Sequence, residues 1–403
     1  MDLSYGPEYE IFREEVRTFL KNHRHQAPKA QGQGMRSTVI REWQALLIEN
    51  GYAARTIPKV YGGYGAQPDI LKSRIISEEF ANAQVPGGLG GQGISMLVPT
   101  LLELGTEEQK RRFIEPTIRG ETVWCQGYSE PGAGSDLASL RTSAVLDGDE
   151  WVINGQKIWT STAHLADWIF CLVRTEPDAP KHQGISFLLF DMKSPGIEIR
   201  PLVDMTMNHS FNEVFFTNVR VPKDQIVGAR GQGWQVANSI LGHERDSLGD
   251  PNATLFRFNR LLDLMREETV DGTRVIDNSV LRDRAMQMQG RVMAMRFNEL
   301  RVLSSRVNNK NDAGLARLIT KLEGTELRHA LEGLGIDVMG ELGLAYKDNP
   351  YLRDNGMFQY HHMFFLGLII GGGTSQIQKN IISERGLGMP REPKLAEKSA
   401  EKK

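Results

Sequence analysis

The chain changes its hydrophobic rhythm twice. Over residues 1–124 apolar side chains recur at helical spacing, as in Ile11, Phe12, Val16, Phe19 and Leu20, then Trp43, Leu46 and Leu47, then Ile70 to Phe80. Over 125–233 the pattern becomes short β-branched and aromatic runs, at 142–145, 151–153, 168–173, 185–190, 197–202 and 214–216. Asp147-Gly148, Asn154-Gly155 and Ser194-Pro195-Gly196 divide them. From 234 to 390 helical spacing returns, with periodic stretches at 234–268, 278–307 and 313–334 and a last helix expected near Thr374. Helical, then β, then helical predicts an α+β protein with an N-terminal helical domain, a middle β domain and a C-terminal helical bundle. This order argues against a doubly wound nucleotide-binding sheet, which alternates strands and helices. The glycine runs at 87–91 and 371–373 also lack the strand–GxGxxG–helix context such a sheet requires.

Charge and cysteines narrow the partners. The 48 Lys+Arg balance 50 Asp+Glu, so the chain is not expected to bind nucleic acid, whose affinity rests on clustered cations. The two cysteines, Cys125 and Cys171, are too few for a disulfide scaffold and show no metal-ligand spacing, so no metal is expected. Buried thiols in a reducing compartment are the expectation. The most apolar run, Met363 to Ile370, is interrupted by Gly367 and falls short of the ~18 residues of a membrane span. The first twenty residues carry acids where a leader would carry bases, which predicts a cytoplasmic protein without membrane attachment. Residues 391–403 hold four lysines and almost no large apolar side chain, the composition of a disordered tail.

The most specific stretch is 126–136, QGYSEPGAGSD. Small hydroxyls and closely spaced glycines leave many backbone N–H groups free to bond a phosphate or the polar edge of a flat heterocycle. The same composition also suits a tight connection into the β domain. Three further elements follow in order: NGQKIWTS at 154–161, FNEVFF at 211–216 with VRVP at 219–222, and GTSQIQ at 373–378.

Together these four motifs resemble those of the FAD-dependent acyl-CoA dehydrogenases, over residues 1 to about 390. The resemblance implies FAD as cofactor, an acyl-CoA substrate and α,β-desaturation, with hydride passing from Cβ to flavin N5. It implies that Gln126, Tyr128 and Ser129 contact the flavin ring, and that Gly134 and Ser135 lie between FAD and the pantetheine arm. Trp159 would pack on the flavin, with Thr160 and Ser161 at its N5/O4 edge. Taken alone, Trp159 reads as core. Thr374 and Gln376, in the fourth motif, are also implied in cofactor binding.

The catalytic base departs from the commonest family pattern. Many members carry a Glu immediately before the Gly-Thr of the fourth motif, where this chain has Gly372. Others place the Glu on the helix after the β domain, and the matching position is Glu244, implied as the base. Arg245 matches a position on the CoA side. Gly372 would keep its backbone N–H for the thioester carbonyl while vacating volume, which suits a branched, cyclic or steroid-type acyl group. Asp271 to Asp277 replaces the Arg-x-x-Phe-Gly segment that reaches the FAD of a neighbouring subunit, while Asp337 and Glu341 fall near the expected pyrophosphate. Arg274, Arg282 or Arg284 would have to substitute. The expected assembly is therefore a homotetramer or a heterotetramer with a sister chain, with an electron-transfer flavoprotein as acceptor. The competing readings are other flavin chemistry on this fold (monooxygenase, oxidase or desulfinase) and a non-catalytic subunit of a heteromer.

Overall fold

The structure, a computed structural model, describes residues 6–29, 36–308, 310 and 313–391, and of 244–248 it describes the helical backbone only. Most of the expected tail, 392–403, therefore lies outside the described residues. The chain forms two compact units, one ending at Glu244 and the other beginning at Arg245.

The first unit opens with helices α1 (Pro7–His23), α2 (Thr38–Glu49), α3 (Ile70–Asn82), α4 (Val98–Leu104) and α5 (Glu107–Ile118). Side chains bond the orphan N–H groups at three of these starts: Ser37 before α2, Asp69 before α3, and a Thr106–Gln109 capping box before α5. The expected faces of α1 to α3 meet, with Val16, Phe19, Trp43, Leu47, Ile75 and Phe80 in one cluster. Glu79 of α3 is held by both Arg13 and Arg17 of α1, at 2.5 and 2.8 Å.

Seven strands follow: β1 (Trp124–Gly127), β2 (Ser143–Asp147), β3 (Glu150–Lys157), β4 (Trp168–Arg174), β5 (Ile185–Asp191), β6 (Ile197–Leu202) and β7 (Phe211–Pro222). Their order is β1-β4-β2-β3-β7-β6, with β5 also on β4. The short β1, absent from the sequence expectation, runs parallel to β4 with Trp124 opposite Trp168. Alternation sorts β4 and β5 onto two faces. Phe170, Leu172, Phe187 and Leu189 join a core with Ile114 and Ile118 of α5, whereas Ile169, Cys171, Val173 and Leu188 join Trp151 and Phe216. Both cysteines are free and buried, as expected. The β3/β7 register shifts between Ile153 and Gly155. A Cβ at Gly155 would stand 2.6 Å from Thr142 Oγ1, so the bulge that re-aims the end of β3 requires glycine there. Helix α6 (Gly233–Leu248) begins by packing Val236, Ala237 and Ile240 into the core shared with Leu97 and Leu101.

The second unit contains α7 (Pro251–Glu267), α8 (Ser279–Val307), α9 (Gly314–Met339), α10 (Met357–Ile370) and α11 (Ser375–Ile381). The expected continuous stretch 234–268 is in fact two helices. Asp250 caps α7 by accepting from Asn252 N, and Pro251 stands at its first position. Beside them, a Cβ at Gly249 would lie 2.5 Å from the Thr320 carbonyl oxygen. Thr374 caps α11 from outside, so that helix begins one residue later than expected. Glu332, fully buried on α9, accepts from Arg257 at 2.8 and 3.0 Å and from Arg328 at 2.6 Å. Among the described residues no helix is long and apolar enough to cross a membrane.

Candidate active site

The 126–136 loop is welded to the end of β3 by a buried ion pair. Lys157 Nζ donates to Glu130 Oε1 at 2.8 Å and to the Tyr128 carbonyl at 3.1 Å. The Glu130 carboxylate also accepts from the backbone N–H of Arg141 (2.6 Å) and Thr142 (2.8 Å). Burial pushes this carboxyl's pKa up, but the Lys157 charge and these hydrogen bonds outweigh it and hold it below the usual range. Ile158 N donates to the Ser129 carbonyl at 2.9 Å, closing the seam. Glu130 and Lys157 both stand inside the motifs, yet sequence reading assigned them no role. The available signal was a lysine at a strand position where the alternation calls for an inward side chain.

Beyond this seam the backbone turns left-handed at Trp159 (φ 57°) and again at Thr162 (φ 56°). Such conformations in bulky residues persist only where the surroundings hold them. Here Asn212, fully buried on β7, supplies the hold: its Nδ2 donates to the Thr160 carbonyl at 2.9 Å, and its carbonyl accepts from Thr160 N at 3.0 Å. Trp159 is thereby thrown outward. Its indole is 60% exposed, supported edge-on by Phe211 at 5.9 Å, so its reading as core is overturned. Thr160, adjacent to it, is fully buried with an Oγ1 that has no hydrogen-bond partner.

The remaining loop residues occupy different environments. The Tyr128 ring is buried edge-on against Phe170 and Phe187. Gln126 is half-buried, with Gln92 Nε2 3.4 Å from its Oε1. Ser129 and Ser161 are half-buried, whereas Gly134 and Ser135 are exposed on the turn that closes with reciprocal Glu130–Ala133 backbone bonds. Ser161 and Thr162 form part of the lining of a cleft of about 290 Å³, together with 89–94, Thr117, Gly120 and 122–124.

On α6, Glu244 and Arg245 lie on the described helical backbone, but their side chains are outside the described residues. One residue earlier, His243 Nε2 is 3.2 Å from Glu103 Oε1, and the same carboxylate accepts from Ser239 Oγ at 2.6 Å. His243 is thus engaged by α4.

In the second unit, Gly372 has φ 65° and Gly373 has φ 100°. Both lie in the left-handed region that favours glycine, which gives Gly372 a backbone reason of its own. Gln378 Nε2 donates to the Gly372 carbonyl at 2.9 Å, and Lys321 Nζ, on a buried residue, donates to Gly373 O at 2.7 Å. Thr374 Oγ1 accepts from Ile377 N at 3.3 Å, and Gln376 is exposed. Of the cations considered for a pyrophosphate, Arg274 is held by Asp277 at 3.0 Å and Arg284 by Asp337 at 2.6 Å. Asp337 is therefore not a bare anion. Arg282 and Glu341 are exposed.

The first-unit residues fit an isoalloxazine ring. A flat heterocycle needs an aromatic or apolar wall and hydrogen-bond groups at its polar edge. Trp159 offers an exposed indole, and Thr160 offers a buried hydroxyl oxygen still lacking a partner.

Comparisons with known proteins point to one family. Models of the acyl-CoA dehydrogenase N-terminal, middle and C-terminal domains match residues 6–121, 125–219 and 231–387. The chain is 39% identical over 357 residues to acyl-CoA dehydrogenase IpdE1 of Mycobacterium tuberculosis, covering 88% of this chain and 89% of that protein. Among solved structures, a chain of the ChsE4–ChsE5 complex from Mycobacterium tuberculosis superposes with a TM-score of 0.80 at 31% identity, covering 97% of this chain and 100% of that one. A chain of the Tcur3481–Tcur3483 steroid ACAD gives 0.81 at 29% identity, with the same coverage.

Proposed function

The chain belongs to the acyl-CoA dehydrogenase family, and from that premise we propose that it desaturates the Cα–Cβ bond of an acyl-CoA thioester with Glu244 as the base. Members of this family are FAD-dependent flavoproteins acting as oxidoreductases. FAD, when bound, supplies the hydride acceptor.

The observation that carries the reading is the adjacent pair of Trp159, exposed on a left-handed backbone, and Thr160, buried with an unpartnered hydroxyl oxygen. Trp159 walls one side of the ring and keeps water from it. Thr160, with Ser161, Gln126, Tyr128 and Ser129 from the neighbouring segments, orients the ring by hydrogen bonds. Thr374 and Gln376, of the fourth motif, are also assigned to cofactor binding by the family resemblance. The Gly372 N–H polarises the thioester carbonyl, which acidifies the α proton, and Ser135 and Arg245 hold the CoA side. Glu244 removes that proton, because glycine at 372 has no group to do so.

The acyl group in this proposal is bulky, either ring-bearing or steroid-type. Support comes from Gly372, which leaves room where many members carry a carboxylate, and from the neighbour described as a steroid ACAD. Electrons leave to an electron-transfer flavoprotein. The assembly is a heterotetramer with a sister chain, supported by the internal pairing of Arg274 and Arg284 and by the ChsE4–ChsE5 complex among the neighbours.

The test is anaerobic flavin bleaching across straight, branched and ring-bearing acyl-CoAs. Bleaching by a ring-bearing thioester, with the highest kcat/KM of the panel, is expected. Clear preference for medium straight chains would remove the bulky-acyl reading. Oxygen consumption in place of bleaching under air would indicate another flavin chemistry.

A further inference from the structure

Residues 371–373 are three consecutive glycines, the loosest backbone a chain can contain, since glycine loses the most conformational freedom on ordering. Helix α10 ends before them, with Gly371 N donating to the Gly367 carbonyl at 2.8 Å, and α11 starts after Thr374. Side chains of α9 tie this turn down. Lys321 Nζ donates to the Ile369 carbonyl at 3.0 Å and to the Gly373 carbonyl at 2.7 Å, so one ammonium joins the end of α10 to the start of α11. Glu326, also on α9, accepts from the hydroxyl of Ser375, the first residue of α11, at 2.7 Å.

Gln378 completes the hold. Its buried Nε2 donates to the Gly372 carbonyl at 2.9 Å, and a Cβ at Gly373 would stand 2.8 Å from that nitrogen, so glycine at 373 makes way for the amide. The peptide before Gly371 is thus fixed through Gly371 N, and the two that follow Gly372 through the Gly372 and Gly373 carbonyls. The peptide between them carries the Gly372 N–H. Among the described residues no group accepts from that N–H, so it is oriented by its neighbours and left able to donate.

This hold is costly. Lys321 is 2% exposed, and a buried ammonium carries a desolvation cost that an apolar residue would avoid. Part is offset because a cation at a helix C-terminus bonds carbonyls that have no partner within the helix. A carbonyl at a helix end needs only a donor, whereas one charge bridging two helices also fixes the turn between them.

We propose that Lys321 and Gln378 are positioning residues, which lock the 371–373 turn so that the Gly372 N–H meets the thioester carbonyl oxygen already aligned. This rests on the assignment of that N–H to the thioester in the proposed function. A donor aids enolisation most when it is in place before charge develops on the oxygen, and three glycines cannot supply that order by themselves.

The experiment uses the FAD-loaded protein and acetoacetyl-CoA, whose α proton ionises to an ultraviolet-absorbing enolate. Difference absorbance against pH, for the ligand free in buffer and bound, reads how strongly the site polarises the thioester. The wild type is expected to lower the pKa of the bound ligand below its free value. Lys321→Met and Gln378→Leu should each raise the bound value by about one pH unit, the tenfold change that accompanies one weakened hydrogen bond. Bleaching by a saturating ring-bearing acyl-CoA should slow about tenfold in both, less than the ~10²–10³ of deleting an oxyanion donor, because the N–H remains but is no longer held. Gln378→Leu removes no charge, so it separates alignment from the field of the ammonium. Circular dichroism shows which variants fold, and where one does not, the other decides. An unchanged bound pKa in a folded variant overturns the proposal. A wild type that leaves the ligand at its free pKa overturns the assignment of the Gly372 N–H beneath it, and the proposal with it.

Discussion

Lys157 and Glu130 form an enclosed ion pair 2.8 Å long, the lysine side chain fully buried and the carboxylate nearly so. One partner ends β3 and the other lies in the 126–136 loop, so the pair fixes the two segments whose side chains are assigned to the flavin. Its desolvation cost is offset by three further hydrogen bonds, to the Tyr128 carbonyl and from the N–H groups of Arg141 and Thr142.

Lys157→Met should therefore strand a buried carboxylate. The expected loss of stability is about 3–5 kcal/mol, the scale for breaking one side of a buried pair. Thermal unfolding checks the stability, and the flavin-to-protein absorbance ratio should fall with it. A variant that keeps both would remove the positioning role.

Glu244→Gln should leave FAD bound and reduce desaturation by ~10²–10⁴-fold, the range for a lost proton-transfer group. Stopped-flow bleaching with a saturating acyl-CoA reads this directly. Near-normal turnover would sink Glu244 as the base.

The second unit should lose stability in mild acid through His361. Burial, aided by Arg328 and Arg257, pushes its pKa down to about 4 against the opposing charges of Glu332 and Asp354. An unfolded histidine titrates near ~6.5, so between these values the unfolded chain binds more protons. The contribution is complete above about pH 6.5 and is lost as pH falls towards about 4. His361→Phe should flatten the Tm-versus-pH curve in that window, and an unchanged slope would contradict the assignment.

Expressed alone, the chain should hold FAD below one per subunit, because Arg274 and Arg284 are occupied by Asp277 and Asp337. Co-expression with a sister chain that offers an arginine to the pyrophosphate should restore full occupancy. A stable homotetramer with one tight FAD per subunit would refute the heteromer.

Much of this protein was legible in the order of its residues. Local periodicity determined the helical–β–helical order, because an apolar stripe repeats at 3.6 residues in helices and at two in strands. The motifs determined the family. Boundaries resting on a single local conflict were less clear. The stretch 234–268 carries one helical pattern, and only the close approach of Thr320 to Gly249 and the Asp250 cap place the break. Trp159 is the sharpest case. An aromatic residue after an alternating strand reads as core, and only the resemblance carried by the 154–161 motif points the other way. Its exposure follows from the bulge at Gly155, the left-handed turn at 159 and the grip of Asn212, more than fifty residues away, on Thr160. The Glu130–Lys157 pair and the hold of Lys321 on Gly373 arise the same way. Periodicity reports which face a residue prefers, whereas partners across a bulge or a cleft depend on distances that exist only once the chain has folded.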